Sequence, residues 1–98
     1  MTAIPIRVLI ADDQELMRSA LSMIVQSQDD LQVVGQAANG QEAVQLSGQT
    51  NPDVVVMDIR MPVLDGVAAT RRLVAAGPTP KVLVLTTFDL DEHAFGAL

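Results

Sequence analysis

The sequence predicts an α/β fold, a doubly wound parallel sheet. That reading rests on short apolar runs of strand length, longer amphipathic stretches between them, and their strict alternation along a 98-residue chain. A chain of that length holds one small domain, and its parallel strands are expected to be joined by right-handed crossovers.

The first strand is read over 7–11, where Val8, Leu9, Ile10 and Ala11 are continuous. Over 15–28 the spacing changes to Met17, Ala20, Leu21 and Ile24, one stripe of a helix. A second strand over 31–37 is more polar, which suits a place nearer the sheet edge. Asn39-Gly40 opens a helix running to about residue 50, with Asn39 as its N-cap and Ala43, Val44 and Leu46 as its apolar side. Asn51-Pro52 ends that helix, and 54–57 is a dry third strand of the kind covered on both faces. Residues 62–66 read as a loop and 67–76 as a helix stopped by Gly77-Pro78. The fourth strand covers 81–86, and 91–98 begins another helix. With the first strand central, the helix after it and the helices after later strands fall on opposite faces. Such sheets bind ligands beyond the carboxyl ends of their strands.

Composition narrows the function classes. Apolar residues make up 49% of the chain, and the aromatics are Phe88 and Phe95, so the core must be aliphatic. Twelve acidic against six basic residues give a net charge of −6, which argues against direct nucleic-acid binding and suits a protein partner or a cation. There is no cysteine, hence no disulfide framework or thiolate site. Residues 1–6 lack the pattern of a signal peptide, and no apolar run approaches the roughly 20 residues that cross a bilayer, so a cytoplasmic domain is expected.

The chemistry gathers at the strand ends. The first strand runs into Asp12-Asp13 and the third into Asp58. If those strands are neighbours, three carboxylates converge on one crevice, where their repulsion calls for a positive charge. An all-oxygen pocket of this kind favours a hard divalent cation, and Mg²⁺ is the natural choice. The competing reading of Asp12 and Asp13 is plain capping of the next helix. Thr86, at the end of the fourth strand, brings a hydroxyl able to donate to a phosphoryl oxygen, or simply ends a strand. His93 has no ligand-spaced partner and reads as a solvent-facing helix residue, while Met17, Met23, Met57 and Met61 read as core or near-core filler.

The ordered set Asp12-Asp13, Asp58-Ile59-Arg60-Met61-Pro62, Asp65-Gly66 and Thr86 resembles the receiver domains of two-component response regulators. The stretches from Ile10 to Gln14 and from Met57 to Gly66 especially resemble regulators of the NarL/FixJ type, and the resemblance covers essentially the whole chain. It implies a flavodoxin-like, CheY-like sheet of strand order 2-1-3-4. It implies that Asp58 accepts a phosphoryl group from a sensor histidine kinase and that Asp13 is the main carboxylate ligand of Mg²⁺. Asp12 assists through water or directly, and the backbone carbonyl of Arg60 completes the protein's ligands. By the same resemblance Thr86 turns toward the acyl phosphate, and the amide of Thr87 faces the phosphoryl group. Pro62 and Gly66 would hold the loop after Asp58 in a defined shape.

Against the family pattern the chain stops early: residues 1–98 correspond to a receiver without its fifth strand and fifth helix, and without a DNA-binding domain. The missing strand would carry a Lys that contacts the phosphoryl group. Lys81 does not replace it, because it starts the fourth strand at the opposite end of the sheet. An exposed apolar fourth strand would pair with another chain, so a homodimer or segment-exchanged oligomer is expected. Any contact with DNA would belong to an absent C-terminal domain. The expected function is a phosphorylatable signalling receiver and not an enzyme. The alternatives are an interaction module working by dimerisation alone, and an aspartyl-nucleophile phosphohydrolase, whose Asp-x-Asp pattern the adjacent Asp12-Asp13 does not match.

Overall fold

A computed structural model gives the fold; it describes residues 4–58, 66–77 and 79–85. The elements run β1 (Ile6–Ala11), α1 (Glu15–Gln26), β2 (Leu31–Ala37), α2 (Gly40–Thr50), β3 (Val54–Asp58), α3 (Gly66–Ala75) and β4 (Lys81–Leu85). The four strands form one parallel sheet in the order β2-β1-β3-β4, with β1 and β3 inside it, as expected. Among the described residues no helix is long and apolar enough to cross a membrane.

Alternation along the central strands sorts the two faces. Leu9 and Ala11 of β1 and Val55 and Met57 of β3 point to one side, where they are buried with Ala43 of α2 and with Ala69 and Leu73 of α3. Val44, Leu46 and Val82 pack against the margin of this aliphatic core. Val8 and Ile10 of β1 are also buried, and they face the side on which α1 lies over β1 and β2.

Two sequence expectations change here. The inward face of α1 is Met17, Leu21, Ser22 and Val25, whereas Ala20 is exposed and Ile24 is 63% exposed. The helix is apolar on two adjacent stripes, and only its seat on the sheet decides which one turns in. Met23, expected near the core, is on the outer stripe at 72% exposure. Nor is β3 covered on both faces: Val54 and Val56 are half-buried, because α1 sits over β1 and β2 and does not reach fully across.

Local chemistry sets the ends of the elements. Asn39 caps α2 by accepting from the Glu42 amide at 2.8 Å, and the Glu42 carboxylate takes hydrogen bonds back from the Asn39 side chain and the Ala38 amide. Such a cap stabilises a helix by about 1 kcal/mol. Asn51, at the other end, donates its amide to the Ser47 carbonyl and adopts a left-handed conformation with φ 49°, which turns the chain out of the helix. At the amino ends of the strands Asp53 ties three of them: it exchanges hydrogen bonds with the backbone of Arg7 and accepts from the Lys81 amide. That clip fixes the register which, at the far end, sets the functional residues side by side.

Candidate metal and phosphoacceptor site

Parallel register carries the end of β1 to the end of β3. Ala11 is paired with Met57, so Asp12 and Asp58 each stand one step further along neighbouring strands. Asp12 extends the sheet by one more hydrogen bond, from its amide to the Ala37 carbonyl at 3.0 Å. Asp58 is the last residue of β3 and pairs with Leu85 of β4. Both are buried, at 2% and 5% exposure, while Asp13 is exposed at the rim. Each of the three offers a carboxylate oxygen lying within 4.8 Å of those of the other two. The structure therefore brings together the three aspartates singled out from the sequence.

The capping alternative for Asp12 and Asp13 does not account for this arrangement. The N-cap of α1 is Gln14, with no side-chain hydrogen bond, and Asp12 instead closes a tight turn by accepting from the Gln14 amide at 2.9 Å. Asp12 thus spends one carboxylate oxygen on the turn and faces the cluster with the rest of its charge. Its pKa is raised above the ordinary 3.8, first by burial and then by the charges of Asp58 and Asp13, against the lowering effects of the Gln14 amide and the Arg18 guanidinium. A group in that position is stabilised by any cation that enters the crevice. Three hard oxygen donors fit a small divalent ion such as Mg²⁺ and exclude a site built on thiolate or imidazole.

Arg18 escaped the sequence reading. It lies on α1, and its guanidinium reaches back over the first turn to donate to the Asp12 carbonyl at 2.7 Å. The signal was available: Arg18 is the single basic residue of α1 and sits near its N-terminus, where the helix dipole disfavours a cation. The expectations for Arg60, Met61, Pro62, Asp65, Thr86, Thr87 and His93, and for a helix over 91–98, lie outside the described residues.

The chain matches the family model described as the response regulator receiver domain over residues 8–98. It is 41% identical over 90 residues to the uncharacterised transcriptional regulatory protein YxjL of Bacillus subtilis, which covers 92% of this chain and 41% of that protein. A protein-glutamate methylesterase/protein-glutamine glutaminase of Methanococcoides burtonii is 41% identical over 78 residues, or 80% of this chain and 22% of its own length. Among solved structures, the signal receiver domain of the response regulator NarL from Mycobacterium tuberculosis superposes with a TM-score of 0.82 at 28% identity, over 97% of this chain and 77% of that one. The chain spans about two fifths of the length of the first transcriptional regulators it matches. With a sheet of order 2-1-3-4 and an aspartate at the end of each of its two central strands, this chain belongs to the response regulator receiver domain family.

Proposed function

We propose that this chain is the phosphate-accepting part of a two-component regulator, with Asp58 as the acceptor. The observation that carries the reading is the convergence of the Asp12, Asp13 and Asp58 oxygens within 4.8 Å at the carboxyl end of the sheet. An oxygen of Asp58 attacks the phosphorus of a phosphohistidine on a sensor kinase. The new bond is an acyl phosphate; the phosphorus–nitrogen bond breaks and its electron pair returns to the imidazole. Asp13 would be the main carboxylate for Mg²⁺, with Asp12 assisting directly or through water and the backbone carbonyl of Arg60 completing the protein's ligands. Such an ion would supply positive charge against the transferring phosphoryl group and relieve the repulsion among the aspartates. Thr86 donates to a phosphoryl oxygen and the Thr87 amide faces the same group; for these two and for Arg60 the support is the family pattern in the sequence.

The wider assignments follow the same reading. Residues 1–98 act as the receiver of a cytoplasmic transcriptional regulator whose output lies outside this sequence, where any contact with DNA would also lie. That the chain is a switch and not a turnover enzyme is supported by its likeness to transcriptional regulators. Self-association is favoured by apolar residues left on the surface, Leu83 and Val84 on β4 and Met23 and Ile24 on α1. A monodisperse monomer by light scattering at micromolar concentration overturns the self-association.

The test of the central reading is labelling with acetyl phosphate and Mg²⁺, read by intact mass. One added phosphoryl group that is absent in Asp58→Asn is the expected result. No gain in a chain folded by circular dichroism removes phosphotransfer from this chain, and a gain retained in Asp58→Asn removes Asp58 as the acceptor.

A further inference from the structure

We propose that Arg18 is a positioning residue for the cation site, anchoring the main chain of Asp12 so that the Asp12 and Asp13 carboxylates stay aimed at Asp58. The inference rests on the metal-binding reading above and deepens it. Asp12 is held at three points. Its amide donates to Ala37 at 3.0 Å, which joins it to β2; its Oδ1 accepts from the Gln14 amide at 2.9 Å, which shapes the turn; its carbonyl accepts from Arg18 at 2.7 Å, which joins it to α1. The first two belong to any strand-to-helix turn of this kind. The third is supplied by a long cationic side chain placed where its own helix disfavours a positive charge.

Side chains on a helix lean toward its N-terminus, so residue 18 is well placed to cover the turn that precedes the helix. The guanidinium is half-buried there and donates to a neutral carbonyl, leaving the carboxylates to the cation. Its charge, held at the Asp12 carbonyl, also opposes that of the acidic cluster. Two effects therefore oppose each other in a variant that removes the side chain. Loss of the anchor loosens the ligands and weakens the cation, whereas loss of a nearby positive charge strengthens it. Positioning is the larger effect, because hydrogen-bonded partners that orient metal ligands commonly change affinity by about ten-fold or more, while a charge at a wet rim is screened.

Titrating Mg²⁺ by calorimetry into the wild-type chain, Arg18→Met and Arg18→Lys tests this, with amide NMR spectra of the metal-free forms recorded alongside. Arg18→Met is expected to bind about ten-fold more weakly, with the Asp12, Asp13 and Gln14 amides shifted before any metal is added. Arg18→Lys, which keeps a charged donor, recovers part of that affinity. Unchanged or tighter binding in Arg18→Met overturns the proposal while leaving the cation site intact. A wild-type chain that binds no Mg²⁺ overturns the metal reading and this proposal with it. If Arg18→Met fails to fold by circular dichroism, Arg18→Lys decides: weaker binding with displaced amides upholds positioning, and wild-type affinity with undisplaced amides overturns it.

Discussion

Asp12 and Asp58 leave the sheet side by side because Ala11 and Met57, the residues before them, are partners in the parallel register of β1 and β3. Two buried carboxylates so placed repel each other, and at partial burial that costs on the order of a few kcal/mol. The fold accepts the penalty at one spot and keeps its aliphatic core on the α2–α3 side of the sheet, away from it. Functional sites commonly depart from local stability in this way.

Mg²⁺ should therefore stabilise the folded chain. At about 100 times its dissociation constant a ligand specific for the folded state adds about 2.7 kcal/mol, which for a domain of this size raises Tm by about 10–20 °C. Asp13→Asn should lose most of that rise, since Asp13 is one of the three clustered carboxylates. Differential scanning calorimetry with and without MgCl₂ measures it. An equal rise from NaCl at matched ionic strength attributes the effect to screening and sinks the site.

The pH dependence of the metal-free chain has a definite sign. Burial and the neighbouring carboxylates raise the pKa of Asp12 above 3.8, so the folded state holds that proton more tightly than the unfolded one. Its contribution to stability is then fully present below pH 3.8 and is lost as pH rises through the folded-state value. Asp12→Asn, which keeps an oxygen for the Gln14 amide, should be the more stable protein at neutral pH without metal. The advantage over wild type should shrink on acidification and reverse in sense when Mg²⁺ is added. Urea unfolding between pH 4 and 7.5 decides it; a wild-type advantage throughout would contradict the assigned shift.

Much of this site was legible in the sequence, for a physical reason. A strand buried in a parallel sheet is a nearly pure apolar run, so the residue that ends it stands out, and Asp12 and Asp58 do so after Val8–Ala11 and Val54–Met57. Turn chemistry was legible too: Asn39 was read as the cap of α2, and its side chain does accept from Glu42. The face of α1 was not legible. Leu16, Ala20, Met23 and Ile24 form one helical stripe and Met17, Leu21 and Val25 another, and periodicity alone cannot rank two overlapping stripes. The choice is made by tertiary packing, and it favours the stripe beside Ser22, a small side chain that lets the helix approach the sheet. Arg18 stood out in the sequence only as a lone cation at an unfavourable end of α1; its partner is a main-chain carbonyl, which no pattern of side chains displays.

Ser22 itself should be improvable. It is 5% exposed, and its hydroxyl has no hydrogen-bond partner among the described residues. A buried hydroxyl without a partner costs about 1–3 kcal/mol, and Ala also has the better helix propensity. Ser22→Ala is expected to stabilise the chain by about 1 kcal/mol in urea unfolding, with labelling by acetyl phosphate unchanged. A loss of stability would mean that the hydroxyl is paired in solution, by water or otherwise.

Gly35 should resist a side chain, the more so the larger it is, and the reason lies in how β2 meets β1. The register slips by one between them, from Val8 with Val33 to Leu9 with Gly35, so that Val34 is the extra residue of a bulge and Gly35 faces Leu9. A Cβ at Gly35 would come within 3.1 Å of the Leu9 Cδ1 and 3.9 Å of the Leu46 Cδ1. Leu9 is fully buried in the aliphatic core, so room for the added atoms comes from a shift of the core or of the edge strand. Overpacking of this kind costs about 1–3 kcal/mol, and Gly35→Val should fall at the upper end while Gly35→Ala stays near the lower. Because β2 also accepts the Asp12 amide through the Ala37 carbonyl, a shift of the edge strand is transmitted to the turn that carries Asp12 and Asp13. Gly35→Val should consequently weaken Mg²⁺ binding as well as lower the urea midpoint. A variant that loses stability but binds Mg²⁺ like wild type would show that the core absorbs the strain and β2 stays in place.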